Sequence, residues 1–163
     1  MISKIERGES SPTAAVLGRL SAALQLTMSE LLSPGMAAET AQGAGPAEPR
    51  AGGVQRDADA PRWRDPDTGY LRRQVSSPAF PAAVTEVVLP PGANVPYPAA
   101  SYAFIAQLIW VLSGELTLAD LPDTHVLGPG DAFELGQPRP REFRNETTAE
   151  CRYVVVVTRK ATA

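Results

Sequence analysis

Residues 34–61 carry almost no large apolar side chain; Ala, Gly, Pro, Glu and Gln dominate. Such a stretch buries too little apolar surface to offset the conformational entropy lost on ordering. It therefore divides the 163-residue chain into a short piece over residues 1–33 and a larger one over residues 62–160, with residues 34–61 expected to be a disordered linker. The count of 16 prolines and 13 glycines exceeds what one compact unit requires, which agrees with that division.

The short piece reads as helical. Ile2 and Ile5 lie one turn apart, and Gly8 after Arg7 suits a left-handed residue closing a helix. Ser11 is expected to cap a second helix with Pro12 at its first position, where a missing amide hydrogen has no cost. Val16, Leu17, Leu20, Ala23 and Leu24 recur at three- and four-residue spacing and form the face expected to be buried. Thr27 with Glu30 makes a capping-box pattern ahead of a third, short helix containing Leu31 and Leu32.

From Trp63 onward the helical period vanishes. Short runs rich in Val, Ile, Leu, Thr and aromatic residues alternate with Pro, Gly, Asp and Asn, the pattern of an all-β barrel or sandwich. Strands are expected over residues 70–75, 83–89, 107–113, 115–119, 124–127, 132–135, 142–145 and 151–158. Pro90-Pro91-Gly92, Ser113-Gly114, Gly128-Pro129-Gly130-Asp131 and Asn145-Glu146 supply the turns between them. Asp120, Asp123 and Asp131 read as turn residues. The fold class expected is thus mainly β, preceded by a short α-helical segment.

Composition narrows the chemistry. The net charge of -3 argues against a surface uniformly basic for non-specific nucleic-acid binding, while a local basic patch stays compatible with it. The single cysteine, Cys151, allows no internal disulfide and, with no CxxC or Cys/His cluster, no zinc site. No run is long and apolar enough to span a bilayer, and the start lacks the basic-then-apolar layout of a secretion signal. A cytoplasmic protein without membrane partners is expected. No glycine-rich phosphate loop, GxSxG elbow or Cys/His pair points to catalysis.

The run Ile2-Ser3-Lys4-Ile5-Glu6-Arg7-Gly8-Glu9-Ser10-Ser11-Pro12-Thr13, followed by Leu17, Leu20, Ala23-Leu24 and Glu30-Leu31-Leu32, resembles the phage-repressor-like helix-turn-helix regulators of the XRE family. The resemblance makes residues 2–7 the second half of a recognition helix and implies double-stranded DNA as a partner. Ser3 and Lys4 would then face the major groove, with Lys4 in reach of a guanine edge or a phosphate. Arg7, Ser10 and Thr13 would contact phosphates, which position such a module without reading sequence; Glu6 would be structural. The family pattern has two further helices ahead of this run, and a start assigned to an internal methionine, rather than a remnant, is the expectation for Met1.

Pro90-Pro91-Gly92, the run from Gln107 to Leu116, Leu127-Gly128-Pro129-Gly130-Asp131 and Phe143-Arg144-Asn145 resemble the cupin superfamily, implying a double-stranded β-helix, or jelly-roll barrel. Metal-binding cupins present histidines and a glutamate from two motifs, because imidazole and carboxylate suit a divalent metal. In this chain the equivalent positions are Tyr97-Pro98-Ala99-Ala100, Gln107 and Arg141. His125, the one histidine, falls outside them and reads as an ordinary strand residue. No metal and no other cofactor is therefore expected. A guanidinium standing where metal charge would be can hold an anion by charge-assisted hydrogen bonds, so the expected ligand site is Gln107 and Arg141 with Trp110, Phe133 and Phe143 as apolar wall.

Taken together, these features lead to a DNA-binding transcriptional regulator whose cupin domain senses a small-molecule effector, with twofold half-sites implying a homodimer. A metal-free cupin binding module without DNA binding is the alternative, and a cupin enzyme a weaker one.

Overall fold

The structure, a computed structural model, describes residues 12–32 and 52–160. Helix α1 spans Ala14–Leu24 and α2 spans Met28–Leu31. Ten strands follow among the described residues: β1 Arg62–Arg64, β2 Leu71–Gln74, β3 Ala83–Leu89, β4 Asn94–Tyr97, β5 Ile105–Ser113, β6 Leu116–Asp120, β7 Asp123–Leu127, β8 Ala132–Leu135, β9 Arg141–Arg144 and β10 Cys151–Arg159. Of the expected linker, residues 34–51 lie outside the described residues, whereas Asp57–Asp59 form a single 3-10 turn that leads into β1.

The strands build two antiparallel sheets, one ordered β1-β2-β3-β10-β5-β8 and the other β4-β9-β6-β7. This is the jelly-roll barrel expected for the chain. Alternation sends Val87 and Leu89 of β3, Ile109 and Val111 of β5, Leu116 and Leu118 of β6, and Cys151, Tyr153 and Val155 of β10 into one buried core. Each fully buried Leu or Ile stabilises such a core by about 1.5 to 3 kcal/mol. Asn145 is buried and donates from Nδ2 to the carbonyls of Leu89 and Ala149, fastening the turn between β9 and β10. At Gly114 the backbone has φ +75, and a Cβ would stand 2.5 Å from the Glu150 carbonyl oxygen, so only glycine fits that turn.

Two strands were not expected from the sequence. β1 is only three residues of alternating arginine and tryptophan, and β4 contains Pro96. β4 is an edge strand of its sheet, where proline's missing donor does no harm. A short 3-10 turn, Ala99–Tyr102, then delivers the chain to β5.

The helices differ from expectation in start and in face. Thr13, not Ser11, is the N-cap of α1: its backbone is extended and its hydroxyl accepts from the Val16 amide at 3.4 Å. The capping box of Thr27 and Glu30 forms as expected, with the Glu30 amide donating to Thr27 Oγ1 at 3.1 Å and the Thr27 amide to Glu30 Oε2 at 2.6 Å. The buried face of α1 is Ala14, Leu17, Gly18 and Ser21, whereas Val16 and Leu20 are half-buried and Ala23 and Leu24 exposed. Small residues dominate that face because α1 lies directly on the barrel: a Cβ at Gly18 would come within 2.9 Å of Tyr97 Cδ1.

Polar contacts fix the helices there, among them a pairing of the Ser29 and Thr85 hydroxyls at 3.2 Å and a bond from Arg159 to the Gln25 carbonyl at 3.2 Å. The Ala14 amide donates to Asp65 Oδ1 at 2.9 Å, Ser101 Oγ donates to the Gly18 carbonyl at 3.0 Å, and Arg159 pairs with Glu30 at 2.8 Å. Asp65 is itself buried, and its other oxygen accepts from the Thr68 amide and hydroxyl. A carboxylate at the first turn of α1 also meets the positive end of the helix dipole. Among the described residues no helix is long and apolar enough to cross a membrane.

Candidate functional site

Beneath the two helices lies a cavity of about 50 Å³. Gly18, Ser21, Met28 and Ser29 of the helical segment form one wall, and inward-facing barrel residues form the rest. Period-two alternation from Tyr70 places Arg72 on the same face of β2, opposite Val87 of β3 and in line with Tyr153 of β10. Arg72 is half-buried and lines the cavity with Tyr70, Tyr97, Tyr102 and Tyr153. The hydroxyls of Tyr70 and Tyr97 are 2.8 Å apart. Ile105, Phe143, Val155 and Val157 supply apolar surface, and Gln107 a side-chain amide.

The electrostatics of this chamber are lopsided. Burial disfavours the charged form of the Arg72 guanidinium, but Tyr70, Tyr97 and Tyr153 around it outweigh that effect and hold its pKa above the ordinary value. Burial raises the phenols of Tyr97 and Tyr153 well above their usual range, with Tyr70 adding to the shift and Arg72 opposing it. These groups therefore stay as phenols and a guanidinium at neutral pH, all able to donate. No aspartate or glutamate among the described residues pairs with Arg72. The Tyr102 hydroxyl, also buried, has no hydrogen-bond partner among the described residues.

Of the five ligand-site residues expected from sequence, Gln107 and Phe143 line the cavity and the other three do not. Trp110 is 47% exposed on the outer face of β5, because the inward positions of that strand are Ile109 and Val111. Phe133 is half-buried and packs its ring 4.7 Å from that of His125, outside the cavity. Arg141 is buried but already neutralised: its Nε stands 3.0 Å from Asp120 Oδ1, Nη2 donates to the Gln137 carbonyl, and the guanidinium lies over the Tyr102 ring. Asp120 is correspondingly a buried counter-ion rather than a turn residue, since β6 extends through it and points it inward toward β9.

The cation that does enter the cavity, Arg72, was missed. Its sequence signal was the aromatic residue two positions earlier, which marks the face that Arg72 shares. Ser3, Lys4, Arg7 and Ser10 lie outside the described residues, and Thr13 uses its hydroxyl to cap α1.

The chemistry of the barrel interior does not fit a divalent cation. The cavity's polar lining consists of phenols, hydroxyls, the Gln107 amide and the Arg72 guanidinium, with no imidazole or carboxylate among the described residues lining it to hold a divalent metal. Among the described residues no three His, Cys, Asp or Glu side chains are grouped to share a metal ion.

Comparison with known proteins agrees with this architecture. Residues 85–157 match the family described as cupin domain, and residues 1–31 match the family described as helix-turn-helix. No curated protein matches the chain by sequence. Among solved structures, the chain is similar to an HTH_3 family transcriptional regulator from Vibrio cholerae, at 19% identity over 99% of this chain and 80% of that one, with a TM-score of 0.68. The cupin domain of an XRE family transcriptional regulator from Enterobacter cloacae matches 56% of this chain and 98% of its own, at 17% identity and TM-score 0.51. The polyketide cyclase RemF from Streptomyces resistomycificus shares 20% identity over 69% of this chain and 88% of its own, with TM-score 0.54. At these identities the likeness is one of fold.

Proposed function

We propose that this chain, which joins a helix-turn-helix segment of the XRE type to a cupin domain, is a DNA-binding transcriptional regulator whose barrel binds a small effector. One observation carries the reading: the cavity is walled jointly by the helical segment and the barrel interior. A molecule bound there touches α1 and α2 as well as the strands. It therefore changes the free energy of the helices' docking, and only such a differential contact lets a ligand bias two states. Coupling of this kind typically amounts to about 1 to 3 kcal/mol, a shift of about 5- to 150-fold in DNA affinity.

In this reading Ser3 and Lys4 read the major groove, and Arg7, Ser10 and Thr13 contact phosphates. The molecule acts as a homodimer on a twofold site. Support for a dimer comes from the outer face of the six-stranded sheet, where Trp110 and Leu112 are exposed beside the half-buried Leu108, Val154 and Val156.

Selection from a random duplex library tests the DNA half of the proposal. Enrichment of a palindromic motif is expected, with affinity for the selected site falling steeply as salt rises. Recovery of a pool no different from the input would refute it.

A further inference from the structure

The identity of the effector's chemical class follows from the charge balance of the cavity, and this step rests on the regulator reading only for the consequences of binding. We propose that the cavity is a site for a short monocarboxylate, held at its carboxylate end by Arg72 and at its alkyl end by the apolar wall.

Size sets the first limit. The cavity is small, about 50 Å³, and takes a group of a few non-hydrogen atoms. Formate and acetate are of that order. Charge sets the second. Arg141 has Asp120 as counter-ion, Arg73 and Arg152 share Glu86, and Arg159 has Glu30, whereas no carboxylate among the described residues pairs with Arg72. One guanidinium with no carboxylate partner balances one negative charge. A dianion such as phosphate would leave a buried charge unpaired, at considerable desolvation cost.

Shape and donors complete the match. The planar guanidinium fork suits the two oxygens of a carboxylate. Tyr102 contributes a buried hydroxyl with no partner among the described residues. Ile105, Phe143, Val155 and Val157 also line the cavity with hydrocarbon, which suits a methyl group and disfavours the fully polar surface of phosphate or sulfate.

The test is calorimetric titration of the purified full chain with sodium acetate, sodium formate, acetamide and inorganic phosphate, at constant ionic strength held with chloride. Acetate and formate are expected to bind with saturable heat, and acetamide and phosphate about tenfold or more weakly. Arg72→Met and Arg72→Gln should each weaken acetate by about tenfold or more while Arg72→Lys retains part of the affinity, with melting curves without ligand confirming that the variants fold. Equal binding of acetate and acetamide by the wild-type chain overturns the assignment without recourse to any variant. So does undiminished acetate binding by a folded Arg72→Met. Acetate that binds through Arg72 yet leaves DNA affinity unchanged supports the site and removes its effector role, so the two readings fail separately.

Discussion

Replacing Asp65 by alanine separates the docking of the helices from the folding of the barrel. Asp65 Oδ1 accepts the Ala14 amide at 2.9 Å, and both groups are buried, so the substitution strands a buried donor at the first position of α1. An unsatisfied buried amide costs about 1 to 3 kcal/mol. Loss of the carboxylate from the positive end of the helix adds about 0.3 to 1 kcal/mol, and loss of the bonds to Thr68 contributes on the order of 1 kcal/mol. Because these terms overlap, about 2 to 4 kcal/mol is the expected total.

The loss should be local. Ser101, Arg159 and the small-residue face still hold α1 and α2, but the barrel core does not depend on Asp65. Native-state hydrogen exchange is therefore the assay. Amides of α1 are expected to lose protection by about 30-fold or more, since each 1.4 kcal/mol corresponds to tenfold. Amides of β5 and β10, which pair along their length in the centre of the six-stranded sheet, should keep theirs. Unchanged protection in α1 would refute the anchoring role, and equal loss in β5 and β10 would show that helices and barrel open as one unit.

Glu86 offers a pH test. Burial raises its pKa, but hydrogen bonds from Arg152 and Arg73 outweigh this and leave it below the ordinary 4.5. A folded-state pKa lowered in this way contributes stability that is complete above pH 4.5 and lost as the pH falls through the folded value. Glu86→Gln should cost about 1 to 3 kcal/mol at pH 7 and flatten the acid limb of stability against pH; an unaltered acid limb would count against the network. Trp110→Glu is expected to shift sedimentation toward monomer by about tenfold or more in dissociation constant, with acetate binding unaffected, and an unchanged sedimentation profile would remove the proposed dimer face. Cys151 is fully buried, with its pKa pushed up to about 11 by burial and secondarily by Glu115. At pH 8 the native thiol should resist a disulfide reagent that labels the urea-unfolded chain stoichiometrically, and rapid native labelling would contradict that burial.

Local signals in the sequence determined the elements. Period-two runs located eight of the ten strands seen among the described residues, because alternation and turn residues act over a few neighbours. The capping box at Thr27 and Glu30 was legible for the same reason, as was the turn at Gly114. The resemblance to helix-turn-helix regulators and cupins likewise rested on short motifs with fixed spacing.

What tertiary structure alone decided was which side each element turns inward. Arg72 and Arg73 are adjacent and chemically identical, yet one lines the cavity and the other pairs with Glu86 outside it. A slip of one residue in register would exchange them, and nothing within β2 forbids that. Likewise α1 offers an aliphatic stripe through Val16, Leu20 and Leu24 but buries Ala14, Gly18 and Ser21 along with Leu17, because the Tyr97 ring admits only a small face. Trp110 points out and Asp120 in by the same rule of alternation. Such choices depend on partners far along the chain, as with Asp65 and the Ala14 amide, 51 residues apart. Periodicity tells which residues share a face; only the packed barrel selects the face that meets the cavity.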